Sequence, residues 1–174
     1  MTMPALVNSG YLRTMAAYND AMNKRLFDAA ARLSDETRKQ DRGAFWKSIH
    51  GTLCHLLWAD RLWMSRFDGW ERPATVQKDS GDMIADFAAL RAAREDADKR
   101  IGDWAARTTD DWTNGSITWH SNTSGTDVTA PASYVVMHFF NHQTHHRGQA
   151  HALITAAGEA TGDTDLLGMI PPLL

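Results

Sequence analysis

A chain of 174 residues is enough for one domain spanning 1–174, burying roughly 70% of its unfolded surface in a core. With 43% hydrophobic and 22% charged residues the composition is globular, and a net charge of −3 gives no basic surplus to hold a nucleic acid or an anionic membrane. Cys54 is the single cysteine and closes no internal disulfide, and the opening residues MTMPALVNSG lack the basic-then-apolar pattern of a secretory leader, so the expected compartment is the cytoplasm.

In chain order, Leu12, Met15, Ala16, Met22, Leu26, Ala29, Ala30 and Leu33 recur at threes and fours and predict a first amphipathic helix from about Asn8 to Leu33. Ser34 to Gly43 is charged and unpatterned, hence a connection, with Gly43 as a turn. A second helix is predicted from about Phe45 to Arg66 on the stripe Ile49, Leu53, Leu56, Leu57, Ala59, Leu62 and Trp63. Phe67 to Ser80, with Gly69 and Pro73, breaks the pattern.

Asp79 or Ser80 is a candidate cap for a third helix from about Asp82 to Ala106, carried by Met83, Ile84, Phe87, Leu90, Ala97, Ile101 and Trp104. The charge-rich stretch Arg91 to Arg100 inside it reads as a solvated face. Ile117, Thr118 and Trp119 then alternate as a short strand answered by Thr126, Val128 and Thr129, which predicts a small hairpin. Pro131 opens a fourth helix that runs to about Ala157, where Gly158 is the expected left-handed stop, and the tail through Pro171 and Pro172 is extended or a short turn. The fold class is all-α: an antiparallel four-helix bundle with a short irregular or hairpin excursion before the last long helix, roomy enough for a crossover. The longest stretch without formal charge, Val128 to His146, carries four histidines, Asn141 and Gln143, so it does not read as a membrane span.

Of eight histidines, five fall between His138 and His151. His142 and His146 are four apart, which on a helix sets them about 40° apart in projection and one turn along, close enough to share one metal ion. His138 extends that face by a turn and is a candidate acid/base or ligand-supporting group, or a polar core histidine. His145 points about 100° from His146, away from the pair. The predicted second helix offers His55 on its apolar stripe, where a lone histidine is more often a hydrogen-bonded core residue than a third ligand. His50, His120 and His151 read as structural or exposed, and Cys54 as a small buried hydrophobe. Tryptophans 58, 63 and 70 line a pocket or, by default, fill the core, while Arg147 and Asp60 are a candidate ion pair between the two histidine-bearing helices, with Gly148 easing their approach.

The segments HLLWADRLWMSRF, from His55, and HFFNHQTHHRGQAHALIT, from His138, resemble the DinB family of damage-inducible proteins, which are distinct from the DNA polymerase of that name. The resemblance covers most of the chain. It implies a four-helix bundle holding a divalent metal ion on three histidines, one from the second helix and two from the last, which places the ligands at His55, His142 and His146. It also implies a homodimer.

No Glu-x-x-His unit, phosphate-cradling glycine loop or nucleophile-elbow serine competes with that site. Three imidazoles leave coordination positions open, as in catalytic metal sites, and suit zinc, nickel or iron. The resemblance further implies thiol-dependent S-transferase or isomerase chemistry on a small-molecule substrate with a low-molecular-weight thiol. A metal-dependent hydrolase and a non-catalytic metal- or ligand-binding protein of the stress response are the alternatives.

Overall fold

The computed structural model describes residues 6–121 and 124–169; the predicted tail through Pro171 and Pro172 lies outside them. Four long helices build it: α1 (Ser9–Ala31), α3 (Ile49–Phe67), α4 (Phe87–Arg107) and α6 (Ala132–Ala156). Short helices α2 (Asp35–Lys39), α5 (Asp110–Asn114) and α7 (Leu166–Met169), a 3-10 turn at Gln77–Asp82 and a two-stranded hairpin complete the described chain. Asn8, Ser48 and Asp86 cap α1, α3 and α4 by accepting a hydrogen bond from the third residue on. Gly158, at φ +96°, supplies the left-handed stop after α6.

Each long helix buries its apolar stripe in one core, where Leu12, Leu53, Leu57, Leu90, Ile101, Phe139 and Phe140 are almost wholly enclosed. The helices pack in a ring, α1 against α4, α4 against α3, α3 against α6 and α6 against α1. Their side-chain pairs give the directions. Asp28 meets Arg91 while Ser9 meets Asp110, so α1 and α4 are antiparallel. His55 meets His146 while Trp63 meets His138, so α3 and α6 are antiparallel too. By contrast His50 meets Phe87 and Phe67 meets Trp104, so α3 and α4 run parallel, as do α1 and α6.

The uniformly antiparallel bundle expected from pattern therefore gives way to an up-down-down-up arrangement. The lengthwise crossover falls between α3 and α4, not before the last helix, because two parallel neighbours need a connection that returns along the bundle. Residues 68–86 make that return along α3. Trp58 Nε1 donates to Thr75 O at 2.7 Å, His55 meets Ser80, and Ile84 O accepts from Cys54 and pairs with His50. Asp79 and Ser80 thus lie in the 3-10 turn of that return segment and Asp86 caps α4, which starts at Phe87, later than the apolar pattern suggested.

The excursion is the expected hairpin, β1 (Ser116–Ser121) against β2 (Thr126–Pro131), with Trp119 opposite Val128. Its Trp119 ring packs edge-on to Trp63 at 5.6 Å.

The reading of Arg91 to Arg100 as a solvated face fails at two positions. Arg94 is 1% and Asp98 4% exposed, because both fall on the buried stripe with Leu90, Ala97 and Ile101. Arg94 donates to Asp60 Oδ2 of α3 at 2.6 Å and to Asp98 Oδ2 at 3.0 Å; Asn23 of α1 donates to Asp98 at 2.9 Å, and Gln143 of α6 to Asp60 Oδ1 at 3.0 Å. All four long helices thus contribute to one buried polar network, the condition under which buried charge is tolerated.

Candidate metal centre

His55 sits in the middle of α3, and His142 and His146 on the facing stripe of α6, so antiparallel packing of these helices brings three imidazoles together. Ring centroids are 4.6 Å apart for His55 and His146, 5.4 Å for His55 and His142, and 4.3 Å for His142 and His146. One ring nitrogen from each lies within 4.8 Å of the other two. His55 is 2% and His146 7% exposed, whereas His142 is half-buried.

Neighbours fix which nitrogens face inward. Ser80 Oγ donates to Gln77 O at 2.6 Å, so toward His55 Nδ1, at 2.8 Å, it accepts; His55 therefore carries its proton on Nδ1 and keeps a lone pair on Nε2. His146 Nδ1 likewise donates to Gln149 Oε1 at 2.7 Å, freeing its Nε2. That nitrogen stands 3.1 Å from His142 Nε2, a separation at which two lone pairs repel unless a proton or a cation lies between them. Nitrogens sharing one zinc-sized ion at bonding distance stand about 3.3 Å apart, so this pair already has the spacing such an ion needs.

Burial, and next the neighbouring imidazoles, push His55 and His142 down to about 3, and burial lowers His146 as well. All three are neutral near pH 7 and give lone pairs without first losing a proton to solvent. The donor set fits a divalent ion.

Trp46 stacks on His55 at 3.8 Å between centroids, with the planes 17° apart. Gly51 makes that stack possible: a Cβ there would stand 2.3 Å from Trp46 O, so only glycine lets the segment before α3 fold back so closely.

Beyond the trio, the exposed His138 ring lies 5.9 Å from His142 and 5.2 Å from Trp63, and partial desolvation, then the Arg66 charge, lower its pKa. His145 is exposed. His50, His120 and His151 pair with Ile84 O, Asp127 and Thr161, as structural residues would. Cys54 is fully buried, donates to Ile84 O, and is pushed up to about 11 by burial. Trp58 and Trp70 are buried; Trp63 is half-exposed beside His138.

Asp60 and Arg147 are not ion-paired. Asp60 is taken by Arg94, and Arg147 donates to Asn19 Oδ1 and to Thr144 Oγ1 at 3.2 Å. Nor does Gly148 ease a helix contact, since a Cβ there meets nothing within 4 Å. Spacing missed Ser80, Trp46 and Gln149. Gln149 alone had a local signal, three residues after His146 and on the same helical face.

The DinB family description matches residues 3–171, nearly the whole chain. The chain belongs to the DinB family. Among proteins of curated function it finds no match. The DinB match takes in both histidine-bearing helices and the return segment that carries Ser80. No helix among the described residues is long and apolar enough to cross a membrane.

Proposed function

We propose that this DinB protein is a metal-dependent enzyme whose divalent ion is held by His55, His142 and His146, and that it transfers or isomerises an electrophilic small molecule with the help of a low-molecular-weight thiol. The observation that carries the reading is the convergence of three neutral imidazoles whose inward nitrogens are set by Ser80 and Gln149. When bound on three neutral ligands, a divalent ion keeps its full charge and open positions, and so acidifies a thiol or water that reaches it. The thiol has to come from outside the chain, since Cys54, the single cysteine, is buried and bonded to Ile84 O. His138, exposed and with its pKa lowered, is neutral near pH 7 and placed to take up a proton beside His142. Trp63 and Trp119 wall that side.

Metal-loaded protein mixed with an alkylating electrophile and a small thiol is expected to consume both, and neither without the thiol. Turnover without thiol would instead mark a hydrolase, and saturable metal or ligand binding without turnover a binding protein. We also propose a cytoplasmic homodimer, for which light scattering at micromolar concentration should give twice the 19.4 kDa chain mass; a monomer mass throughout overturns it.

A further inference from the structure

On the other side of α6 from the His55, His142 and His146 trio, α1, α6 and residues 161–164 line a cavity of about 180 Å³. Its third wall is tied to α1 at two points: Tyr18 Oη donates to Thr164 O at 2.7 Å, and Arg25 Nη1 to Asp163 O at 2.6 Å. Its lining is mostly apolar, with Met22, Leu26 and the Tyr18 ring on one side; its polar side carries the guanidinium groups of Arg25 and Arg147 beside His151 and three threonines, and no carboxylate.

Arg147 is the unusual element. It is 5% exposed, yet the described residues give it no ion-pair partner: the two buried carboxylates whose charge it feels, Asp60 and Asp98, are both bonded to Arg94. Of its five N–H groups, hydrogen bonds to Asn19 and Thr144 occupy only two. A guanidinium so deeply buried is normally matched by an anion, because an uncompensated buried charge is costly. Here Arg147, whose guanidinium also stands 5.4 Å from the centre of the Tyr18 ring, lines a cavity whose remaining charged residue, Arg25, is also positive.

We propose that this cavity is a binding site for a small organic carboxylate, the carboxylate meeting Arg147 and Arg25 and an apolar body lying on Met22, Leu26 and Tyr18. The volume matches: a cavity of roughly 150 Å³ takes up benzene, so about 180 Å³ admits a benzoate-sized ligand. Gly148 forms part of the wall with open space where a Cβ would be, which leaves room for the ligand and explains a glycine in mid-helix that no helix contact requires. The proposal stands whether or not the histidines hold a metal.

Titration calorimetry on the protein as purified, with benzoate, benzyl alcohol and inorganic phosphate as probes, tests it. Benzoate should bind at one site, and benzyl alcohol, which lacks the charge, and phosphate, which lacks the apolar body, should each bind roughly tenfold or more weakly. Gly148→Leu fills the cavity without touching the buried network and improves helix propensity, so it should fold and lose benzoate binding. Arg25→Gln, at an exposed position, should weaken binding about two- to fivefold. The site is overturned if benzoate does not bind at millimolar concentration, if benzyl alcohol or phosphate binds equally well, or if Gly148→Leu binds benzoate unchanged. That last result would place the carboxylate on the metal centre.

Discussion

His55 is oriented by Ser80: its Nδ1 donates to the serine Oγ at 2.8 Å, and that oxygen has already committed its own proton to Gln77 O. The pair joins α3 to the segment returning along it, so the direction of one imidazole is set by residues 25 positions away in sequence. Ser80→Ala removes the acceptor, leaves Nδ1–H buried without a partner and frees the ring to change tautomer. Metal affinity should fall about 10- to 100-fold with the fold intact, which circular dichroism and a competition titration against a zinc chelator would establish. Unchanged affinity would mean that Trp46 stacking alone holds the ring.

The trio itself makes a sharper expectation. His55→Ala, His142→Ala and His146→Ala should each lose most bound metal, whereas His145→Ala, whose ring is exposed and lies outside the cluster, should retain it. Elemental analysis of protein purified without a nickel column reads the result. Full occupancy in all three variants would remove the histidines from the metal site altogether.

The His142 and His146 pair was legible because four residues make just over one helical turn, and that local rule survives into any fold. His55 came from resemblance, since no spacing links α3 to α6. Ser80 signalled only a helix cap, which Asp86 provides instead; its role toward His55 depends on a crossover that pattern misplaced to the other side of α4. The buried Arg94 and Asp98 were legible in principle: with Leu90, Ala97 and Ile101 they keep the helical period of the core stripe. Their charge hid them, because a charge-rich helix usually faces water, and the exception needs partners from the other three helices to be seen.

Acid should destabilise the metal-free protein. Burial and the neighbouring imidazoles hold His55 and His142 at about 3, while an unfolded chain protonates its histidines near 6.5. Between those values the unfolded state binds more protons, so stability is present above about pH 6.5 and is lost as the pH falls toward 3. Asp98 acts in the opposite sense, since burial raises it to about 6 and the fold then binds its proton more readily than the unfolded chain does. Asp60, also raised by burial, acts with Asp98, while His146 and His138, lowered by burial, act with His55 and His142; four histidines outweigh two carboxylates, so stability falls as the pH drops from about 6.5 toward 5. Thermal melts in chelator should give a lower Tm at about pH 5 than at about pH 7.5. An equal or higher Tm in acid would show that the folded trio accepts protons freely.

The last expectation separates the two groups able to activate a thiol or water. If activation occurs on the ion held by His55, His142 and His146, then kcat/KM rises through an ionisation that depends on the ion's own acidity, and it should move when zinc is exchanged for nickel or manganese. His138 offers the other route. Its ring lies 5.9 Å from His142, and its pKa, already lowered by partial desolvation and by Arg66, belongs to the protein whichever ion is present. As general base it would give an inflection nearly independent of the metal and abolished in His138→Ala. The measurement is a pH profile of kcat/KM for two metal forms of the unaltered protein and of His138→Ala, with the electrophile and thiol of the turnover assay. We expect the inflection to shift with the metal and to persist in His138→Ala, because the half-buried His142 leaves one edge of the trio within reach of solvent. An inflection fixed across metals and missing from His138→Ala would transfer the activating role to that imidazole and leave His55, His142 and His146 to position substrate or hold α3 against α6.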